Sequence, residues 1–419
     1  MLHNSKTFCM HPFTGLATRE DGAICACCRS HPVGFIHKNT LEEIWNGSAM
    51  RRIRKQVIKG QRPPECEPCF KLEDQGVESL RQRHIAGKIP EARINLYPKA
   101  LDKLGADYKM PFEIATMELK LNNLCNLKCR MCHPMDSTAW NDWDEIKEFY
   151  YKEKNIIATL VDELNLQKKP HLDKFENNKK WWGSFEKLLP YFRRVEFAGG
   201  EPLMDPQHYR ILDMLKPYGE NIEIKYATNL TTLGISKGRT VHDYWPHFRS
   251  VAVNVSLDGI GDVYNYIRGN SDWNQVVANI KEIQKIPNIS RIVGAVTVQV
   301  SNILMLDQMI DYFLNDLKII FHTHRVEYPN VLSVQVLPDQ LKQIAVERLT
   351  LASTKIKDYK IDPKLQDYTL GQIKDNINYL SAHDQNEKWS DCIEFNRRLD
   401  KTRNQSFFDV TPEFKLYAI

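Results

Sequence analysis

Three cysteines, Cys125, Cys129 and Cys132, stand at C-x3-C-x2-C spacing in the stretch LKLNNLCNLKCRMC, residues 119–132. An apolar, strand-like run at 114–121 precedes them and ends in two asparagines. Soft thiolates this closely spaced on a loop select an iron–sulfur cluster or zinc over hard cations. Closed zinc sites and fully protein-ligated [4Fe–4S] clusters both take four protein ligands. Three cysteines therefore leave one metal position open for chemistry. The alternative is a zinc loop whose fourth ligand is His133 or a distant residue.

The remaining cysteines are Cys9, Cys25, Cys27, Cys28, Cys66, Cys69 and Cys392. No apolar run approaches the length of a membrane span, and the N-terminus shows no signal-peptide pattern. Tight cysteine clusters then mean metal rather than disulfides, and the expected compartment is the cytoplasm. Lys plus Arg at 57 against Asp plus Glu at 53 is too balanced to suggest nucleic acid. Neither a nucleic acid nor a membrane is expected as a partner.

In chain order, residues 1–85 read as a cysteine-rich module. Asp21-Gly22 looks like a hairpin turn, and LEEIWNGSAMRRIRKQVIKG, 41–60, reads as one helix ending at Gly60. Residues 86–110, with Pro90 and Pro98, read as a linker. From 111 to 340 strand-like and helix-like segments alternate, the pattern of a parallel α/β sheet. Strands are expected at 114–121, 195–198, 222–230, 250–259 and 291–302, with VLSVQVL, 331–337, as a sixth. The Trp- and Lys-rich residues 136–192 read as an inserted helical segment, and 341–419 as a helical tail.

Strand ends gather the other candidates. The second strand ends in Gly199-Gly200-Glu201-Pro202, where glycines admit a ligand close to the backbone and a carboxylate can accept from an ammonium group. The next ends at Thr228-Asn229, and the fourth at Ser256 and Asp258. Turn chemistry at a strand end is the alternative for Ser256 and Asp258, and a surface ion pair for Arg268.

The spacing C-x3-C-x2-C with GGEP downstream resembles the radical SAM enzymes, over roughly residues 5–415. The resemblance implies a partial (β/α)6 TIM-like barrel. In it a [4Fe–4S] cluster on Cys125, Cys129 and Cys132 would bind S-adenosylmethionine (SAM) and release a 5′-deoxyadenosyl radical. Gly199, Gly200 and Glu201 would hold the SAM amino group, Ser256 and Asp258 its ribose, and Arg268 its carboxylate. Thr228 and Asn229 would complete the cofactor site. The residue before the third cysteine is usually aromatic in this family; here it is Met131, whose backbone would meet the adenine. The pattern C-x12-G-x4-C followed by C-x2-C resembles SPASM/twitch auxiliary-cluster domains, placed here ahead of the barrel. By that resemblance Cys9, Cys27, Cys66 and Cys69 would hold a second [4Fe–4S] cluster. Cys28 could replace Cys27, and a four-cysteine zinc knuckle is the alternative.

Auxiliary domains of this kind are frequent in enzymes that modify ribosomally made peptides. The expected partners are a precursor peptide and an electron donor such as flavodoxin or ferredoxin. Cys392 is either a small buried hydrophobe or a hydrogen-atom donor, since a weak S–H bond quenches carbon radicals. The second reading resembles proteusin-type peptide epimerases and implies Cα epimerisation from L to D. Oxidative cross-linking through the auxiliary cluster is the rival, and a non-catalytic metal-binding scaffold a third reading. The substrate, the modified residues and the oligomeric state are not encoded in any pattern found.

Overall fold

The computed structural model describes residues 5–74, 76, 78–85, 99–326 and 328–417. Residues 86–98 of the expected linker lie outside these. Contacts divide the chain into two units: Met1–Asn123 with Leu172–Tyr226 and Ile235–Val251, and Leu124–His171 with Ala227–Gly234 and Ala252–Ile419.

The first unit is built on β1 (Gly15–Thr18), β2 (Ala23–Cys25), β3 (Pro32–Phe35), β4 (Thr116–Leu119), β5 (Arg194–Phe197) and β6 (Glu223–Thr228), in the order β6-β5-β4-β1-β2-β3. β4, β5 and β6 are parallel, as the alternating pattern implies. β1 and β2 form the expected antiparallel hairpin around Asp21-Gly22. β1 also pairs in parallel with β4, Gly15 opposite Thr116, so the cysteine-rich module extends the same sheet. A Cβ at Gly15 would collide with the Thr116 side chain and carbonyl, so only glycine permits this approach. Phe197 and Tyr226 stack at 5.2 Å and pack on His208 of the helix Pro206–Leu215. Strand alternation turns Glu196 and Lys225 to the opposite face, where they pair at 3.1 Å.

The single helix expected at 41–60 is two, Leu41–Trp45 and Ser48–Ile58. Asn46 breaks it by bonding the Met110 backbone twice, Nδ2 to the carbonyl at 2.8 Å and Oδ1 from the N–H at 2.9 Å. Gly47 then starts the second helix, which turns Arg54 inward to donate to the Pro12 carbonyl at 2.8 Å.

The second unit holds the three-cysteine loop, β7 (Ser250–Ser256), β8 (Ile289–Val298) and β9 (Ile320–Arg325), with β8 between its neighbours and parallel to β9. The sixth strand is thus IFHTHR, not VLSVQVL. Residues 331–337 instead form two tight turns, Asn330–Leu332 and Val334–Val336, the second capped by Ser333 accepting from Gln335 N. The tail is helical: Asp339–Lys355, Pro363–Ala382 and Trp389–Arg403. Of the inserted segment, Trp143–Lys152 belongs to this unit and packs on the last helix through Phe149 and Phe395, 5.4 Å between centroids. No described helix is long and apolar enough to cross a membrane.

Candidate metal centres

Sequence position alone would leave the Cys125–Cys132 loop a mobile connection, since it follows β4 without regular structure of its own. Hydrogen bonds fix it instead. Lys128 N donates to Gly269 O at 3.0 Å and Arg130 N to Ile267 O at 2.9 Å, so the loop runs beside the YIRG segment. Cys132 N donates to Cys129 O at 2.9 Å, closing a turn between these two cysteines. The residues just after the loop fold back over it. Thr138 Oγ1 donates to Cys125 O at 3.1 Å, Ser137 Oγ to Leu127 O at 2.5 Å, and Trp140 Nε1 to Cys129 O at 3.0 Å.

Arg130 locks this loop from behind. Its side chain is 0% exposed and lies over the Tyr266 ring, 3.6 Å from the centroid. It donates to Asp400 Oδ1 at 2.5 Å, Gln405 Oε1 at 3.0 Å, Asn396 Oδ1 at 3.2 Å and the Tyr266 carbonyl at 3.2 Å. Arg403, one turn further along the same helix, donates to Lys128 O and to Asp142 Oδ2, both at 2.8 Å. The C-terminal helix therefore holds the three-cysteine loop through two arginines. Sequence reasoning missed both, although an arginine between two candidate ligands was visible in CRMC.

Around the thiols, Asn229 Nδ2 lies 3.7 Å from Cys125 Sγ and donates to Asn126 Oδ1 at 3.1 Å. Thr228 Oγ1 accepts from Leu230 N at 2.9 Å, which shapes the turn that presents Asn229. Gln299 Nε2 approaches the Met131 sulfur at 3.7 Å. Asp258 is fully buried, accepting from Thr297 N at 2.6 Å and from Arg268 Nη1 at 2.5 Å. Burial raises its carboxyl pKa, opposed by Arg268. Arg268 is thus an internal ion-pair partner with Cys129 in electrostatic reach. Ser256 ends β7, half-buried, and its hydroxyl enters no described hydrogen bond. Burial raises the Cys132 thiol well above its ordinary range, with Asp136, Cys129 and Cys125 adding to it. Burial also raises Cys129, while Arg268 pulls it down. His133 faces Asp136 at 3.3 Å.

GGEP lies in the first unit. Gly199 and Gly200 take positive φ, +78° and +40°. A Cβ on Gly199 would sit 2.7 Å from Glu20 Oε1 and 2.9 Å from Lys120 Cβ, so the position is sterically closed to other residues. Glu201 is 1% exposed, and its Oε1 accepts from Leu203 N at 3.0 Å. It therefore performs turn chemistry, whatever else it binds.

The N-terminal cysteines form a second group in that unit. Cys9 feels Cys27 and Cys69, and Cys66 feels Cys9, Cys27 and Cys69. Burial, then the neighbouring thiols, raises Cys66 above the thiol range; burial pushes Cys27 up to about 11. Cys28 is exposed, and Cys25 is buried in β2. Cys9, Cys27, Cys66 and Cys69 thus lie within electrostatic reach of one another, as Cys25 does of Cys27. Ser30 Oγ shapes the turn at Cys27 by accepting from Ala26 N at 2.9 Å. Arg81 ties the module together through Phe8 O at 2.9 Å and Glu73.

Residues 119–310 match the radical SAM superfamily model. The chain carries a radical SAM domain. Residues 9–70 match SPASM, an iron–sulfur cluster-binding domain, so the auxiliary module precedes the radical SAM domain. No curated protein matches the sequence. Among solved structures, anSMEcpe with bound AdoMet and Kp18Cys peptide is similar at 12% identity and TM-score 0.38, over 58% of this chain and 61% of that one. Streptococcus suis SuiB bound to precursor peptide SuiA is similar at 16% identity and TM-score 0.33, over 76% and 61%. The chain spans under two thirds of the length of both.

The radical SAM domain brings a [4Fe–4S] cluster and SAM, and the SPASM domain an auxiliary iron–sulfur cluster. The donor sets fit these groups. Three buried or half-buried thiols stand on one bonded loop and four more in the N-terminal module, and the irons of a cluster hold such sulfurs as thiolates. Among the described residues no three His, Cys, Asp or Glu side chains come close enough to hold a metal ion. Cluster thiolates each take a different iron, and so need not converge on one point.

Proposed function

We propose that this chain is a radical SAM enzyme acting on a peptide, with Cys125, Cys129 and Cys132 holding the catalytic cluster and Cys9, Cys27, Cys66 and Cys69 the auxiliary one. The observation that carries it is the three-thiol loop, held from behind by Arg130 and Arg403. When bound, these groups supply a 5′-deoxyadenosyl radical for hydrogen abstraction and an acceptor for one electron. Around them the protein's own work is positional. Asn229 orients Cys125 and Asn126, Gln299 steadies Met131, and Asp258 holds Arg268 beside Cys129. By the family motif Gly199, Gly200 and Glu201 would receive the SAM amino group, Ser256 and Asp258 its ribose and Arg268 its carboxylate, with Thr228 and Asn229 completing the cofactor site. The precursor peptide and a flavodoxin or ferredoxin are the proposed partners. The thiolate-rich sites suit a reducing cytoplasm.

Between the two outcomes at the substrate carbon, the surroundings of Cys392 favour oxidative bond formation. Its thiol is 0% exposed on a helix face with Trp389, Phe395 and Leu399. Its one described hydrogen bond comes from Asn396 Nδ2 at 3.7 Å, a residue itself engaged with Arg130 and Tyr266. Epimerisation would need that thiol to reach a substrate radical; a small buried hydrophobe does not.

Detection of 5′-deoxyadenosine tests the reading. Anaerobically reconstituted chain with dithionite and SAM is expected to release it. The same chain with Cys125, Cys129 and Cys132 changed to Ala is expected to release none. Cleavage by the triple variant, or none by a fully loaded wild type, overturns the assignment.

A further inference from the structure

The helix Trp143–Lys152 encloses two polar groups that find no hydrogen-bond partner among the described residues, the Tyr150 hydroxyl and the Trp143 indole N–H. Both side chains are buried, at 0% and 1% exposure. Seven residues is close to two helical turns, so they share one face, and their rings touch at 4.9 Å between centroids. Buried polar groups are almost always bonded, and each exception asks for an explanation. At Tyr150, phenylalanine would fill the same space without burying an orphan hydroxyl. The hydroxyl therefore has a use that the bare protein does not satisfy.

Its neighbourhood indicates what that use is. The Tyr150 ring meets His133 edge-on, 6.2 Å between centroids, and His133 directly follows Cys132. Cys132, Glu153 and Asp136 are the titratable groups that act on the phenol, Cys132 foremost among them. Glu153 Oε1 accepts from Asn330 N at 2.7 Å, and its Oε2, like the phenol, finds no partner among the described residues, so the two do not bond each other; Asp136 faces His133. A protonated thiol is a weak acceptor, whereas a metal-bound thiolate is a strong one.

We propose that Tyr150 donates its hydroxyl hydrogen bond to the Cys132 thiolate, or to the sulfide beside it, when the catalytic cluster is bound. It is then a positioning residue, acting through Cys132 to set that cluster's reduction potential. Donors to cluster sulfurs draw electron density from the iron and favour the reduced form. Tyr150 would thus raise the potential and make the cluster easier to charge with an electron. This rests on the assignment of Cys132 as a cluster ligand.

The test is Tyr150→Phe in the full chain, reconstituted anaerobically. Iron and sulfide are quantified, and the clusters are titrated reductively while followed by electron paramagnetic resonance. The phenyl ring keeps the packing on Trp143, so cluster content is expected to match wild type. One cluster's potential is expected to move lower and the other to stay. Unchanged potentials at full cluster content overturn the proposal. So does a loss of iron, which would make the hydroxyl a structural prop for the loop. If the Cys125, Cys129 and Cys132 triple variant retains both clusters, the ligand assignment fails instead.

Discussion

Replacing Asp400 by alanine leaves the Arg130 guanidinium charged and enclosed, without its carboxylate. Arg130 is 0% exposed and Asp400 13%, so solvent screens the pair little. Removing one partner of a buried pair costs about 3–5 kcal/mol, because the remaining charge is stranded. Two features place this case near the lower end. Gln405 and Asn396 oxygens still accept from the guanidinium, and the Tyr266 ring lies beneath it. Against that, Asp400 Oδ2 also accepts from Phe407 N at 2.6 Å, and losing that bond adds about 1 kcal/mol. The expected net loss is about 3–4 kcal/mol. Urea unfolding of the apo chain, followed by tryptophan fluorescence, reads it as a lower midpoint for the unit containing Trp140, Trp143 and Trp389. Asp400→Asn keeps an acceptor oxygen and is expected to lose less. The double change Arg130→Met with Asp400→Leu removes both charges and is expected to recover much of the loss. A midpoint for Asp400→Ala within error of wild type would show that the pair does not hold the loop, and the account of the C-terminal helix as its support would fail.

Two further outcomes follow from the site geometry. With Cys125, Cys129 and Cys132 changed to Ala, the anaerobically purified chain is expected to keep iron and acid-labile sulfide on Cys9, Cys27, Cys66 and Cys69; zinc without sulfide would make the module a structural knuckle. Cys392→Ala is expected to retain SAM cleavage and the same modified peptide, with no deuterium at an inverted Cα when the reaction runs in D2O. Loss of product with SAM cleavage intact would return Cys392 to the role of hydrogen donor.

What the sequence disclosed depended on how local the signal was. The strands ending at Phe197, Thr228 and Ser256 were legible because apolar runs stop at polar or glycine residues. β9 was not: IFHTHR carries two histidines and is mostly half-buried, so no apolar alternation marks it. VLSVQVL has that alternation, but Ser333 caps a turn there and its valines are buried as turn residues. The break at Asn46 was equally hidden, since its cause is the Met110 backbone, 64 residues away. Among the sites, cysteine spacing was a sufficient guide to the ligand sets. The second layer was not, because Arg130, Arg403 and Trp140 matter only through partners that tertiary folding supplies.

The parallel pairing of β1 with β4 carries a consequence for biosynthesis. Gly15 emerges from the ribosome about 100 residues before Thr116, its neighbour in the sheet. At the 5–20 residues per second typical of synthesis, β1 waits some seconds with one edge bare. Through that interval β1, β2 and β3 stand as a three-stranded sheet whose β1 edge has no partner. The cysteines it carries are then exposed to stray metals and to oxidation. A fragment ending before residue 116 would keep that edge open permanently. It is expected to aggregate rather than behave as a free-standing iron–sulfur domain.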